Sequence, residues 1–270
     1  MQDEIHPAEG RPAAPAGRQS WLGGLRFLLL LALAAWALRS FVVAPFNIPT
    51  GSMMPTMLPG DYLFVSKWPY GYSRFSFPAQ IPSFSGRVLQ TLPERGDVVI
   101  FKRPDGQAAD WVKRVIGLPG DRVALRGGTL FLNGKQVVRA PRGNLALPAS
   151  ANIDCGIDGA STCRYPAYLE TLPSGRSYMT FDQNPAARRD DFGPVTVPPG
   201  HLFLLGDNRD DSADSRFTLA EGGIGMVPLD RLVGRAAFAF WSTDGSSEYL
   251  KPWTWFSALR TSRIGQGYQP

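Results

Sequence analysis

The sequence predicts a mainly β protein: an antiparallel β-sheet domain with long loop excursions, preceded by one N-terminal transmembrane helix. Three observations lead there. The 270 residues include 29 glycines and 24 prolines with no collagen period, so turns divide the chain into many short segments. Beyond Phe46 no long stretch places apolar residues at helical spacing, whereas short β-prone runs recur between Gly and Pro breaks. Before Phe46, the segment Trp21–Phe46 carries only Arg26 and Arg39 as charges. A composition of 44% hydrophobic and 19% charged residues is that of a folded chain and excludes a disordered one.

In chain order, residues 1–20 are rich in Pro, Ala, Gly and charge and read as a disordered head. Residues 21–46 read as the anchor. Their unbroken apolar core, Phe27–Leu38, is short, but arginines near the ends of a span snorkel to the headgroups, and Trp21 and Trp36 suit interfacial depths. A buried core helix would show an apolar stripe rather than apolar residues all round. A cleaved signal peptide would end in an A-x-A site with a polar flank, whereas this segment continues as SFVVAPF. Arg11, Arg18 and Arg26 precede the core and Arg39 follows it. The positive-inside rule then places the N-terminus in the cytoplasm and residues 47–270 on the other side of the membrane.

Residues 47–264 read as one β-rich domain and 265–270 as a tail. The predicted strands are Tyr62–Lys67, Val98–Phe101, Trp111–Ile116, Arg122–Leu125, Thr129–Leu132, Gln136–Arg139, Tyr178–Phe181, His201–Leu205 and Leu232–Trp241. Asn133-Gly134 between β-prone runs signals a hairpin. Residues 68–93 and 140–175 read as irregular excursions or flaps. Cys155 and Cys163, the only cysteines, lie in a Gly- and Ser-containing loop and make either a disulfide in an oxidising compartment or two free thiols. Two histidines exclude a three-histidine metal centre, and two cysteines exclude a four-thiolate one. No metal or cofactor is expected. A net charge of +5 and the lack of a DNA-reading helical module give no reason to expect a nucleic-acid partner.

Three segments carry candidate chemistry. In P49-TGSMMPTMLPGD-61, Gly51-Ser52 sits in a turn between prolines, where Ser52 is either an ordinary turn serine or a presented nucleophile. In D110-WVKRVIGLPGD-121, strand alternation puts Trp111, Lys113 and Val115 on one face and Val112, Arg114 and Ile116 on the other. Arginine cannot deprotonate at working pH, but a desolvated lysine can, so Lys113 is a candidate neutral base. The alternative is an edge lysine that blocks aggregation. In G206-DNRDDSADSR-216, a strand leads into a compact loop of acids, amides and serines. The order of its acids does not match a calcium loop. Asp214 and Arg216 can pair and pin it, and a serine hydroxyl can orient a neighbouring amine.

Together these segments resemble bacterial signal peptidase I, the leader peptidase family of membrane serine peptidases that act by a Ser–Lys dyad. The resemblance runs from the anchor to Ile264 and rests on SMMPT after Gly51, KRVIGLPGD from Lys113 and GDNRDDSADSR from Gly206, in that order behind a membrane span. It implies that Ser52 is the nucleophile and Lys113 the general base. Thr50 falls where a hydroxyl helps the Ser52 N–H bind the oxyanion, and Ser212 where a serine positions the lysine amine. Asp214 and Arg216 fall on a supporting ion pair, and Asp207 and Asn208 open the same motif as structural residues. Phe46, Ile48 and Pro49, with Asp110, Trp111 and Val112, fall on the substrate-binding segments, which would receive an extended peptide by β-addition. The implied partners are signal peptides of exported preproteins cut after small residues at A-x-A-like sites, the lipid bilayer, and transiently the secretion machinery.

Trp253, Trp255 and Phe256 near the C-terminus are either core aromatics or a membrane-facing edge. Three rival functions remain: a specialised relative such as a pilin-maturing peptidase, an autoprocessing Ser–Lys protein of the repressor type, and a non-enzymatic envelope scaffold.

Overall fold

The computed structural model describes residues 18–106, 109–156, 159–184, 187–248 and 250–268; the expected head lies outside the described residues up to position 17. The apolar segment forms helix α1 (Arg18–Ala37), continued by a π-helical turn at Leu38–Val42. Trp21–Val42 is long and apolar enough to cross a membrane, and its most apolar window is not buried against protein at all. The span ends sooner than hydropathy suggests. Val43–Asn47 is strand β1, antiparallel to β2 (Asp61–Ser66), with Val43 opposite Ser66 and Asn47 opposite Tyr62. A strand packed on a core is as apolar as a lipid-facing helix, so hydropathy does not separate them; Pro45 is tolerated because β1 is a sheet edge.

The 68–93 excursion is more ordered than its sequence suggests. It holds the two-residue ribbon β3 (Tyr72–Ser73) and β4 (Arg87–Val88) and buries Tyr70, Phe75 and Phe77. Its rings grip the end of the membrane helix. Trp36 stacks on Phe77 at 6.3 Å, and Phe41 meets Tyr72 and Phe77 edge-on at 5.4 and 5.3 Å. The Tyr72 hydroxyl donates to the Phe41 carbonyl at 2.9 Å.

Next come β5 (Val98–Lys102) and β6 (Asp110–Gly117), then the meander β7 (Arg122–Arg126), β8 (Thr129–Leu132) and β9 (Lys135–Gln136). The β8–β9 turn is Asn133-Gly134 with φ of 53° and 80°, the positive angles a tight hairpin needs. The predicted strand Gln136–Arg139 divides here: Val137 is buried in the core, and Val138 begins β10 (Val138–Pro148). β10 pairs with β11 (Thr162–Thr171), and β11 with β12 (Ser177–Phe181). Most of the 140–175 excursion is therefore a sheet. β10 is exposed along most of its length and shifts register between Pro141 and Asn144, so it lacks the period-2 pattern that marks a half-buried strand. The Cys155–Cys163 disulfide is formed at the end of this hairpin.

The remaining elements are β13 (Phe192–Thr196), β14 (His201–Leu205), β15 (Val227–Pro228), β16 (Leu232–Ser242) and the short helix α2 (Trp253–Ser257). The principal sheet has the order β1-β2-β16-β5-β6-β14-β15. Its middle is covered on both faces, as β5 shows: Val98 and Ile100 enter one apolar cluster, while Val99 and Phe101 enter another; towards the β2–β16 end, Tyr62, Phe238 and Trp241 are exposed. Trp253 and Phe256 on α2 are 70% and 77% exposed, which excludes the core reading of that aromatic cluster. Residues 265–268, expected as a tail, hydrogen-bond to β16 and bury Tyr268.

Candidate active site

The chain leaves β1 at Asn47, runs extended through Thr50, and turns in a single 3-10 turn at Gly51–Met53. This turn sets Ser52 above the middle of the principal sheet, where β6 carries Lys113. Lys113 Nζ donates to Ser52 Oγ at 2.6 Å, across 61 residues of sequence. The lysine is 2% exposed, so it is not an edge residue, and its Nζ lies 5.5 Å from the Trp111 ring centroid. Burial pulls its pKa from 10.5 down to about 8, against the pull of Asp214, Asp207 and Asp211 in the other direction.

The loop after β14 is clamped to the serine turn. The Asn208 N–H donates to the Ser52 carbonyl at 3.2 Å, and Asn208 Nδ2 to the Gly51 carbonyl at 3.2 Å. Gly206 has no substitute: a Cβ there would lie 2.1 Å from Ser212 Oγ and 2.6 Å from the Ser52 carbonyl oxygen. Asp214, wholly buried, accepts from Arg216 at 2.9 Å and from the Gly206 N–H at 3.1 Å. Burial alone would raise its pKa, but Arg216 and the Gly206 N–H hold it below the usual carboxylate value. Ser212 Oγ is buried without a hydrogen-bond partner, so the bond to the Lys113 amine implied by the resemblance is not made in this geometry. Asp207 faces the other side of β6, where Arg114 donates to it through Nε at 2.7 Å and Nη2 at 2.6 Å.

A cavity of about 360 Å³ opens over the Ser52–Lys113 pair. Phe46, Ile48 and Pro49 line one side and Asp110, Trp111 and Val112 the other; Thr50 stands beside Ser52. Asn208, Asp207, Ser212, Asp214 and Arg216 stand outside this lining and act on the loops that frame it. Sequence reasoning missed three participants. Asp211 lines the cavity; burial raises its pKa and Lys113 opposes that. Arg114, with Thr56, satisfies Asp207. Strand alternation at Arg114 was the available signal, since it placed a second buried cation on the face opposite Lys113.

A model of the family described as signal peptidase, peptidase S26, matches residues 21–241. The chain is 37% identical over 255 residues to a signal peptidase I of Rickettsia typhi (strain ATCC VR-144 / Wilmington), covering 88% of this chain and 89% of that protein. It is 37% identical over 266 residues to a signal peptidase I of Rickettsia akari (strain Hartford), covering 92% and 91%. A solved signal peptidase I structure from Enterococcus faecalis V583 matches at 27% identity, with a TM-score of 0.29, covering 54% of this chain and 97% of that one.

Proposed function

The chain belongs to the signal peptidase family S26, and on that premise we propose that Ser52 and Lys113 are the catalytic dyad with which it removes signal peptides. It is a serine endopeptidase anchored by its apolar N-terminal helix. The observation that carries the assignment of residues is the 2.6 Å contact between Ser52 Oγ and a lysine nitrogen that is almost wholly buried.

The chemistry follows from that contact. With its pKa near 8, Lys113 is partly neutral at physiological pH, and a bound peptide that covers the cavity lowers it further. The neutral amine takes the Ser52 proton as Oγ attacks the scissile carbonyl. The Ser52 N–H and the Thr50 hydroxyl, at the same turn, stabilise the oxyanion. Lys113 then protonates the leaving amine. A water that gives its proton to Lys113 hydrolyses the acyl-enzyme and releases Ser52. Ser212 serves as the acceptor that steadies the amine once it is neutral, and the Asp214–Arg216 pair fixes the loop that holds Ser212.

The substrate enters as an extended strand between the edge of β1 and the start of β6, and Phe46, Ile48 and Val112 bound the pockets that admit only small side chains beside the cut. Anchored in the bacterial inner membrane with its N-terminus in the cytoplasm, the chain works on the outer face, in passing contact with the secretion machinery. The test uses the full chain in detergent with a preprotein substrate. Ser52→Ala and Lys113→Ala each lower cleavage by at least about a thousand-fold. If either variant cleaves at the wild-type rate, the dyad is wrong.

A further inference from the structure

A second cavity adjoins the first. It also holds about 360 Å³, and it shares Phe46 and Asp110 with the catalytic cavity. From there it extends to Arg39, near the end of the membrane helix, over an aromatic lining of Phe46, Phe75 and Phe77. Three cations face it: Arg39, Lys67 and Lys102. Lys102 is paired with Asp110 at 2.9 Å, which uses the single carboxylate in the lining. Lys67 has no such relief. It is only 3% exposed, yet its ammonium makes no hydrogen bond or ion pair among the described residues, and the Phe46 ring centroid lies 6.0 Å away. The lysine nitrogen opens into the cavity and not onto the outer surface. Burial lowers its pKa to about 8 despite Asp110, with Arg39, Lys102 and Arg87 lowering it further.

We propose that this cavity is an anion site that takes the phosphate of an anionic phospholipid headgroup between Lys67 and Arg39. A buried cation without a counter-charge calls for an anion, and Arg39, exposed and likewise without an ion pair among the described residues, supplies a second donor fork. The position selects the source. Arg39 lies within the last turn of the Trp21–Val42 span, so the cavity mouth stands at headgroup level, where every anionic lipid presents a phosphate. An acidic side chain from a passing substrate would arrive only when that substrate's sequence happened to contain one. The apolar rings suit the glycerol and first acyl carbons below the phosphate. A seated lipid would join the 68–93 excursion to the membrane helix, whose rings already interlock there, and would stand beside Phe46 at the entrance to the peptide groove. The proposal rests on the membrane placement of α1 and not on the Ser52–Lys113 assignment.

The test is native mass spectrometry of the full chain released from detergent micelles doped with dioleoyl phosphatidylglycerol. One retained lipid is expected on the wild type and equally on Ser52→Ala, so the readout is independent of catalysis. Lys67→Met, which keeps length and removes the charge, lowers retention at least five-fold, and so does Arg39→Gln. Circular dichroism checks the fold of both; should Lys67→Met not fold, the exposed Arg39→Gln carries the comparison. Millimolar inorganic phosphate is expected to displace the lipid from the wild type. Equal retention by wild type and variants overturns the proposal, as does equal retention of dioleoyl phosphatidylcholine, or retention of inorganic phosphate by a wild type that retains no lipid. Loss of cleavage of peptides with an upstream Asp in Lys67→Met, at unchanged lipid retention, would make the cavity a peptide subsite and also overturn it.

Discussion

Replacing Lys113 by methionine should stabilise the folded protein at neutral pH, and the gain should vanish as pH rises. The folded-state pKa of Lys113 is lowered from 10.5 to about 8, so the unfolded chain holds its proton more tightly. Below pH 8 both states are protonated, and the folded state bears the full cost of a buried ammonium. At about 1.4 kcal/mol per pKa unit, that cost is about 3 kcal/mol at pH 7. Between pH 8 and 10.5 the folded state sheds the proton first, so wild-type stability rises, and by pH 10 the cost is under about 1 kcal/mol. Methionine fills the same slot without the charge but loses the bond to Ser52, worth about 1 kcal/mol. The variant should therefore be more stable by about 2 kcal/mol at pH 7 and nearly equal to wild type at pH 10. Lys67, whose pKa is lowered in the same way, is present in both proteins and cancels. The assay is urea unfolding of both full chains in one mild detergent at pH 7, 8, 9 and 10, read by tryptophan fluorescence. A stability difference that stays constant, or that grows with pH, would mean that Lys113 is not buried as a costly cation, and the reasoning for it as a neutral base would fall with it.

The same titration sets activity: log(kcat/KM) on a soluble peptide should rise with unit slope below about pH 8 and then level off. Asp211→Asn removes a charge that raises the Lys113 pKa, so the midpoint should move to lower pH, with faster cleavage at pH 6 than wild type; an unmoved pH profile would refute the coupling. Gly206→Ala should cost at least about a hundred-fold in kcat, because a Cβ there, 2.1 Å from Ser212 Oγ and 2.6 Å from the Ser52 carbonyl, must push the two loops apart; wild-type turnover would contradict that crowding. Asp207→Asn should destabilise the domain by about 3–5 kcal/mol in urea unfolding, since it strands Arg114, 2% exposed, without its counter-charge; a change under about 1 kcal/mol would show the pair to be dispensable.

The strands that could be read from the sequence are those with one consistent environment per face. Thr129–Leu132 and His201–Leu205 appear with the predicted limits, and Asp61–Ser66, Val98–Lys102, Asp110–Gly117 and Leu232–Ser242 differ at their ends by one residue or so. All but Leu232–Ser242 are short and start on or directly after a Gly or Asp, and all of them put buried side chains into a core. The failures have two causes. β1 is apolar because it packs on a core, yet it follows an apolar helix without a polar break, and the boundary is set by pairing with β2 that no local window contains. β10 is solvent-exposed along most of its length and is held by its hydrogen bonds to β11, so its side chains carry no alternation to read. The same limit applies to the aromatic grip on the membrane helix: Trp36, Phe41, Tyr72 and Phe77 are ordinary apolar residues until the chain brings 36 and 77 together.

The candidate site divides along the same line. Alternation within β6 was enough to put Lys113 and Arg114 on opposite faces, and the one loop after β14 supplies acids to both: Asp214 and Asp211 act on Lys113, and Asp207 binds Arg114. What alternation cannot supply is the partner across 61 residues, and Ser52 was identified through motif resemblance rather than spacing. Ser212 shows how the two sources of inference meet. Resemblance gives it the lysine amine as partner, while the geometry leaves its Oγ buried and unbonded, with Lys113 donating to Ser52 instead. Both hold if a small side-chain shift separates the resting contact from the reacting one. The resting contact is that of a charged ammonium donating to a hydroxyl. Once the proton is lost, the nitrogen has a lone pair to accept from Ser52 and two N–H groups to place, and Ser212 Oγ, held beside the Ser52 carbonyl across Gly206, is a buried acceptor with nothing else to bind. An ammonium bonded to Ser52 keeps the same two N–H groups to offer, so Ser212 positions the nitrogen in either state, and burial is what favours the neutral amine.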